Sequence, residues 1–274
     1  MISKEKSSFL FSSVERCFKK LGSRSPKKIF LYGSADSTNE RAKRYPGGQA
    51  PDKELSFGSY PAMLFVAEGQ TSGRGRMGRS FVSNHGKGLY MSLRLELDIP
   101  LSEACLLTPY AAVAVCRALE KSFALRPKIK WVNDIYIGSK KLAGILTEGV
   151  PRADGCTVII GIGLNVKKSE LPRELDGIAT SLEDEGVTAD AAELCALITD
   201  GLLSGIDSYR SASVLDEYRS HSYLLGMNVN VLSPSSVYPA RVVGIGERFE
   251  LIVRTESGEI KYLSDGDVSV RQSL

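Results

Sequence analysis

The sequence predicts an α+β protein in which a mixed β-sheet with helices is followed by a small all-β tail. Two observations predict it. From residue 29 to about 222, β-favouring apolar runs alternate with stretches of helical period. From Gly226 the pattern changes to short strands only, five of them in about 48 residues. The expected organisation is therefore a peripheral extension (1–28), a large domain (29–225) and a small β domain (226–274).

The elements follow in order. Phe11, Val14, Phe18 and Leu21 recur at helical spacing, and Gly22 and Pro26 end that helix. Ile29 to Tyr32 is a short apolar strand. Asp36-Ser37-Thr38-Asn39 offers helix N-cap residues, and the helix continues through Glu40 to Lys43. The polar, Gly- and Pro-rich stretch from Pro46 to Ser59 reads as a loop. Met63–Ala67 and Gly88–Leu97 read as strands. Leu107–Phe123 is Ala-rich with apolar residues at helical spacing, which predicts a buried helix. Lys128–Ile137 and Lys141–Gly149 flank Gly138-Ser139 and predict a hairpin. Thr157–Val166 is a strand broken by glycines, and Ala191–Tyr209 and Val214–Leu225 are helices. The tail strands are Val229–Leu232, Tyr238–Val243, Phe249–Arg254, Glu259–Leu263 and Val268–Val270, with a hairpin turn at Glu256-Ser257-Gly258. Five short strands suggest a barrel of SH3-like size.

Composition narrows the function. Thirty-five basic and 32 acidic residues give a net charge of +3, which argues against a dedicated nucleic-acid binder. No segment approaches the ~20 apolar residues of a membrane span. The five cysteines show neither C-x-x-C pairing nor metal-ligand spacing to the two histidines. They read as buried apolar side chains of a protein in the reducing cytoplasm.

Gly73-Arg74-Gly75-Arg76-Met77-Gly78 fits G-x-G-x-x-G, the pattern of a dinucleotide-binding turn. That turn needs a helix after its glycines. Here Gly86 and Gly88 follow within ten residues and a strand comes next. A glycine loop carrying Arg74, Arg76 and Arg79 instead suits closure over a phosphate or carboxylate.

The loop has company. Gln70 to Arg79 resembles the glycine/arginine loop of biotin–protein ligases, as does Gly88-Leu89-Tyr90-Met91-Ser92 after it. Ser37-Thr38-Asn39, Lys130-Trp131-Val132-Asn133-Asp134, Lys141-Leu142-Ala143-Gly144-Ile145-Leu146 and Gly161-Ile162-Gly163-Leu164-Asn165 resemble that family's further motifs, in the same order. Val132 stands where the family usually has proline, and Met77 where a further basic residue is frequent.

The resemblance implies the biotin–lipoate ligase fold, similar to class II aminoacyl-tRNA synthetases, with an SH3-like tail. The form expected is a short one without an N-terminal DNA-binding domain. Biotin and ATP would be the substrates, with Mg²⁺, and a biotin carboxyl carrier domain of a carboxylase would be the partner. The family allows a homodimer, which nothing in the composition shows. Two anions must meet: at ~4 Å in a partly screened site they repel by about 4 kcal/mol. Lys141, Arg76, Lys130 and Asp134 are the implied catalytic residues. Asp134 would hold Mg²⁺ or orient the incoming lysine. Ser37, Thr38, Asn39, Gln70, Arg74, Gly75, Arg76, Lys141, Gly161 and Gly163 would bind biotin. Arg76, Lys130, Trp131, Asn133, Lys141 and Asn165 would contact the nucleotide. The Gly73–Arg79 loop is expected to be disordered until a ligand orders it. Plain alternatives stand beside these roles: exposed strand lysines for Lys130 and Lys141, helix capping for Ser37 to Asn39, core packing for Trp131, a sheet bulge for the glycines. At the level of function, the alternatives are a lipoate-type ligase and a non-catalytic biotin-binding protein.

Overall fold

The computed structural model describes residues 4–21, 25–56, 60–170, 172–233, 236–264 and 269–272. Helix α1 (Lys4–Leu21) leads into β1 (Pro26–Tyr32), α2 (Thr38–Arg44), β2 (Lys53–Ser56), β3 (Tyr60–Ala67) and β4 (Gly88–Leu97). Helix α3 (Leu107–Phe123), β5 (Lys128–Lys130), β6 (Asp134–Ile137), β7 (Lys140–Arg152) and β8 (Gly155–Asn165) follow. Helices α4 (Ala191–Gly205) and α5 (Ala212–His221) precede the tail strands β9 (Asn228–Leu232), β10 (Val237–Ile245), β11 (Leu251–Thr255), β12 (Ile260–Leu263) and β13 (Ser269–Gln272).

The first eight strands form one sheet in the order β2-β1-β3-β4-β8-β7-β6-β5. Only β1 and β3 run parallel, so the sheet is mixed. Helices α1, α3 and α4 bury one face, and Val14 and Phe18 of the helix read as peripheral are buried in that core. The other face is covered at one end by α2 alone, over a small cluster of Phe30, Tyr32, Phe65, Ala42 and Ile159. Beyond α2 this face stays open, and the site lies there. The tail strands make a second, antiparallel sheet in the order β12-β11-β10-β9-β13. Its apolar side belongs to the same core as the large sheet's helical face.

Two expectations need correction. The loop read over Pro46–Ser59 contains an edge strand, β2, whose Leu55 pairs with Ile29. Leu55 is its one apolar residue, so no apolar/polar alternation marks it in the sequence. The single strand read over Lys128–Ile137 is two strands, because the chain turns at Trp131–Asn133 and pairs Lys130 with Asp134. Gly138 takes φ +56° in the β6–β7 turn and Gly258 φ +86° in the β11–β12 turn, as both hairpins require.

Candidate active site

The open face carries a cleft of about 1030 Å³, counted to its mouth. The turn between β5 and β6 makes one wall. Trp131 is buried there, its Nε1–H donating to the Phe249 carbonyl at 2.9 Å, so the wall is anchored on the tail sheet. Val132 is buried beside it, and its carbonyl accepts from Tyr218 Oη at 3.2 Å. Trp131 is thus packed in the core and at the same time lines the cleft. Asn133 Nδ2 donates to the Ile145 carbonyl at 2.8 Å, leaving Oδ1 to accept from Arg76 Nη1 at 3.1 Å. Asp134 of β6 and Lys141 of β7, offset along the two strands, form an ion pair at 2.7 Å with both side chains about a quarter exposed. Lys130 Nζ donates to Tyr136 Oη at 3.4 Å. Burial, and then the Asp134 charge, pushes the Tyr136 phenol up to about 12.

The glycine/arginine segment forms the other wall as an irregular hairpin. Its limbs are joined by Gln70 N–H to the Ser83 carbonyl, Phe81 N–H to the Gly73 carbonyl and Gly75 N–H to the Arg79 carbonyl. No helix follows the glycines, so the dinucleotide pattern is coincidental. Arg74 bonds Glu40 at the start of α2. Burial would raise the Glu40 carboxyl, but Lys43 and Arg74 outweigh it and hold the group below its ordinary value.

The floor is neutral. Ser37 occupies the N-cap position of α2, yet its side chain makes no capping bond, and Thr38 and Asn39 lie inside the helix. The capping alternative is therefore set aside: Gln70 Oε1 does that work from another segment, accepting from Thr38 N–H at 2.8 Å. Gln70 Nε2 donates to Ser83 Oγ at 2.8 Å. Asn39 is 4% exposed, with Nδ2 donating to the Leu146 carbonyl and to Glu148 Oε2, so it supports the floor more than it faces solvent.

The two glycines of β8 lie in unbroken register with β4 and β7, which removes the bulge alternative. Both line the cleft, and their missing side chains also leave room within the protein. A Cβ on Gly161 would stand 2.0 Å from Asn39 Oδ1, and one on Gly163 would stand 2.5 Å from the Phe81 ring. The glycines make room for two side chains that shape the cleft. Gly144 pairs with Gly163, and the Phe81 ring lies over this bare patch with Lys141 Nζ 5.8 Å from its centroid. Phe81 was missed from the sequence; two glycines aligned across β7 and β8 are the signal that something large must cover them.

Lys141, Arg76, Asp134, Lys130, Ser37, Thr38, Asn39, Gln70, Arg74, Gly75, Trp131, Asn133, Gly161 and Gly163 all line this cleft. Asn165 does not. Its Nδ2 donates to the Thr180 carbonyl at 2.9 Å, and it lines an adjacent depression with Asn84, Lys87 and Asp184.

Comparison with known proteins agrees with this arrangement. A profile of the Biotin/lipoate A/B protein ligase family matches residues 49–165. The bifunctional ligase/repressor BirA of Bacillus subtilis is 34% identical over 257 residues, covering 88% of this chain and 74% of that protein. The chain belongs to this ligase family. A biotin–[acetyl-CoA-carboxylase] ligase of Mycobacterium tuberculosis is 32% identical over 216 residues, covering 75% of this chain and 78% of the relative. Among solved structures, a biotin protein ligase from Aquifex aeolicus in complex with biotin and ATP superposes with a TM-score of 0.71 at 30% identity, over 89% of this chain and 99% of that one. Membership accounts for the ordered motifs, most of whose polar residues line the one cleft, with Asn165 among the exceptions.

Proposed function

We propose that the chain is an ATP-dependent biotin–protein ligase. It joins biotin to AMP and then passes the biotinyl group to a lysine of a biotin carboxyl carrier domain. The observation that carries this reading is one cleft with cations at its mouth and a neutral floor of amides and hydroxyls. A vitamin acid with a polar neutral head and a charged tail matches that division.

In the first step a carboxylate oxygen of biotin attacks the α-phosphorus of ATP, the bond to the bridging oxygen breaks, and pyrophosphate leaves. Lys141 lies between the two anions in this reading, and Arg76 and Lys130 face phosphate oxygens. Asp134 keeps Lys141 oriented before substrate arrives. In the second step the carrier amine attacks the acyl carbon, the acyl–oxygen bond to phosphate breaks, AMP leaves and the nitrogen gives up a proton. The mixed anhydride must be kept from water, and the Arg74–Arg79 wall is the cover nearest to it.

Asp134 is the sole carboxylate among the cleft-lining residues, and no described group of three acidic, His or Cys residues could cage a metal. The donor set therefore fits Mg²⁺ carried mainly by nucleotide phosphates and water, with at most Asp134 from the protein. The ion would neutralise phosphate charge. Asn165, in the adjacent depression, is left for the nucleotide's far end. The tail sheet is read as the family's SH3-like module, residues 226–274. Cys116, Cys156 and Cys195 are buried thiols, with burial pushing Cys195 up to about 12, whereas Cys17 is half-buried and Cys105 exposed, so the buried reading holds for three of the five; a cytoplasmic setting is part of the proposal.

Incubation with biotin, Mg-ATP and a carrier domain tests the reading. One biotinyl group should appear on one carrier lysine. It should be lost without ATP and in Lys141→Ala. Labelling by lipoate in place of biotin, or no pyrophosphate release, would overturn it.

A further inference from the structure

The floor contains a hydrogen-bond chain whose direction is fixed from outside the cleft. Ser92 of β4 is fully buried, and its register places it opposite Gly161. Its hydroxyl oxygen lies 2.6 Å from Asn39 Oδ1 and 2.7 Å from Thr38 Oγ1. A serine has one hydrogen to give. Asn39 Oδ1 has none, so at 2.6 Å the Ser92 hydrogen must go there. The short Thr38–Ser92 contact then needs the Thr38 hydrogen. The Gln70 Oε1 atom, 3.3 Å from Thr38 Oγ1, is the poorer acceptor and already takes the Thr38 backbone N–H at 2.8 Å.

The choice of which end of the Asn39 amide faces Ser92 is made on its far side. Nδ2 meets two acceptors, the Glu148 carboxylate at 2.8 Å and the Leu146 carbonyl at 3.2 Å. Lys43 holds the other oxygen of Glu148, keeping that carboxylate in place. A flipped amide would set an oxygen against both acceptors and an NH₂ against a hydroxyl, so it is disfavoured. The Asn39 hydrogens are thus spent, the Ser92 hydrogen is spent, and the Thr38 hydrogen is spent. Thr38 and Asn39 line the cleft with lone pairs only.

We propose that Glu148, through Asn39 and Ser92, sets the polarity of the floor, so that Thr38 accepts a ligand N–H and rejects a ligand lone pair. Glu148 and Ser92 are positioning residues, since neither lies on the cleft lining. The ligand class is a cyclic urea or other group presenting N–H at this point. Its identification as the ureido ring of biotin rests on the ligase reading above.

The test is a ratio of affinities. Wild type, Ser92→Ala and Glu148→Gln are titrated by calorimetry with biotin and with the two cyclic carbamates that replace one or the other ureido N–H by a ring oxygen. In wild type, the carbamate whose oxygen faces Thr38 is expected to bind about 100-fold or more weakly than biotin, because two lone pairs meet without water. In Ser92→Ala the Thr38 hydrogen loses its better acceptor, is left with Gln70 Oε1 at 3.3 Å, and can turn to that oxygen. The ratio is expected to fall about tenfold or more, whatever happens to biotin affinity itself. Glu148→Gln should lower the ratio in the same direction by a smaller factor, because the Leu146 carbonyl still holds the amide. A merely structural role would weaken all three ligands together and leave the ratio unmoved, and that result overturns the proposal. So does a wild type that binds both carbamates as well as biotin. If Ser92→Ala does not fold, Glu148→Gln decides by the same ratio. A wild type that binds no biotin removes the ligase reading as well; a wild type that binds it with an unmoved ratio removes the relay alone.

Discussion

The two ends of the cleft are built on opposite principles. At the mouth, Lys141, Asp134, Arg76 and Asn133 sit on partly exposed side chains joined in pairs. Exposed pairs of this kind contribute roughly 0–1 kcal/mol, so an arriving anion can take over a partner at little cost. At the floor, Thr38, Asn39 and Ser92 are at most 4% exposed and bonded into one network. Disturbing it leaves buried polar groups unpaired, at about 1–3 kcal/mol each. The mouth therefore supplies reactivity towards anions in general, whereas the floor supplies identity and rigidity. The sharpest division should appear in whether a substitution changes rate or changes affinity and stability.

The largest effect is expected at the mouth. Lys141→Ala removes the cation nearest the Asp134 carboxylate, and adenylate formation should fall by about 10²–10³-fold. The unfolding free energy should move by less than about 1 kcal/mol, since only one partly exposed pair at the mouth is lost. Pyrophosphate release and chemical denaturation measure the two. A stability loss as large as a core mutation's would erase the contrast drawn here. The floor should behave in the reverse sense. Gly161→Ala forces a methyl to 2.0 Å from Asn39 Oδ1, so Asn39 must leave its place. A stability loss of roughly 1–3 kcal/mol is expected, with biotin KM raised about tenfold and kcat changed less.

This contrast also explains what the sequence could reveal. The mouth was legible because its residues sit in short, contiguous motifs: Lys130 to Asp134 are neighbours along the chain, and Lys141 comes just after the Gly138-Ser139 turn. Alternation of strand and helix signals gave the α+β class for the same reason, being local. The floor residues Ser37, Thr38, Asn39 and Gln70 are legible in the same way, but the bonds among them and their supports are not. Ser92 meets Asn39 only because β4 pairs with β8 in a register that sets Ser92 opposite Gly161, and α2 crosses above. Glu148 reaches Asn39 across more than a hundred residues. No spacing rule encodes such meetings. The glycines of β8 stand out in the sequence, but that Asn39 and Phe81 fill the space they leave follows only from the fold. Lys128–Ile137 failed as a single strand because its apolar run continues through Trp131 and Val132, residues that are buried in a turn and not in a strand.

A third substitution tests whether the mouth's wall is held from the tail sheet. Trp131→Phe keeps the ring in the core and removes the donor to the Phe249 carbonyl. A buried acceptor is left without its partner, and stability should fall by about 1–2 kcal/mol. Because the turn also carries Asn133 and Asp134, ATP KM should rise with biotin KM little changed. Equal changes in both would show that wall and floor are not separable units.

The smallest effect concerns the seam between the two ends, where Glu40 meets Arg74 and Lys43. Although burial opposes ionisation there, these cations hold the Glu40 carboxyl below its ordinary value of 4.5. A group whose native value is depressed adds stability above its unfolded value and loses it as pH falls through the native one. The difference in unfolding free energy between wild type and Glu40→Gln should therefore be level above about pH 5 and close towards zero below it. Its plateau should be under about 1 kcal/mol, and it should shrink in ~1 M salt, because Arg74 is half exposed. The corresponding difference for Ser92→Ala reads the floor through a hydroxyl bonded to Thr38 and Asn39, with the Glu148 carboxylate one bond further on. A Ser92→Ala difference that closed in step with Glu40→Gln would mean that protonation of Glu40 or of Glu148, which share Lys43, reaches the floor, and the two ends would then have to be treated as one coupled network.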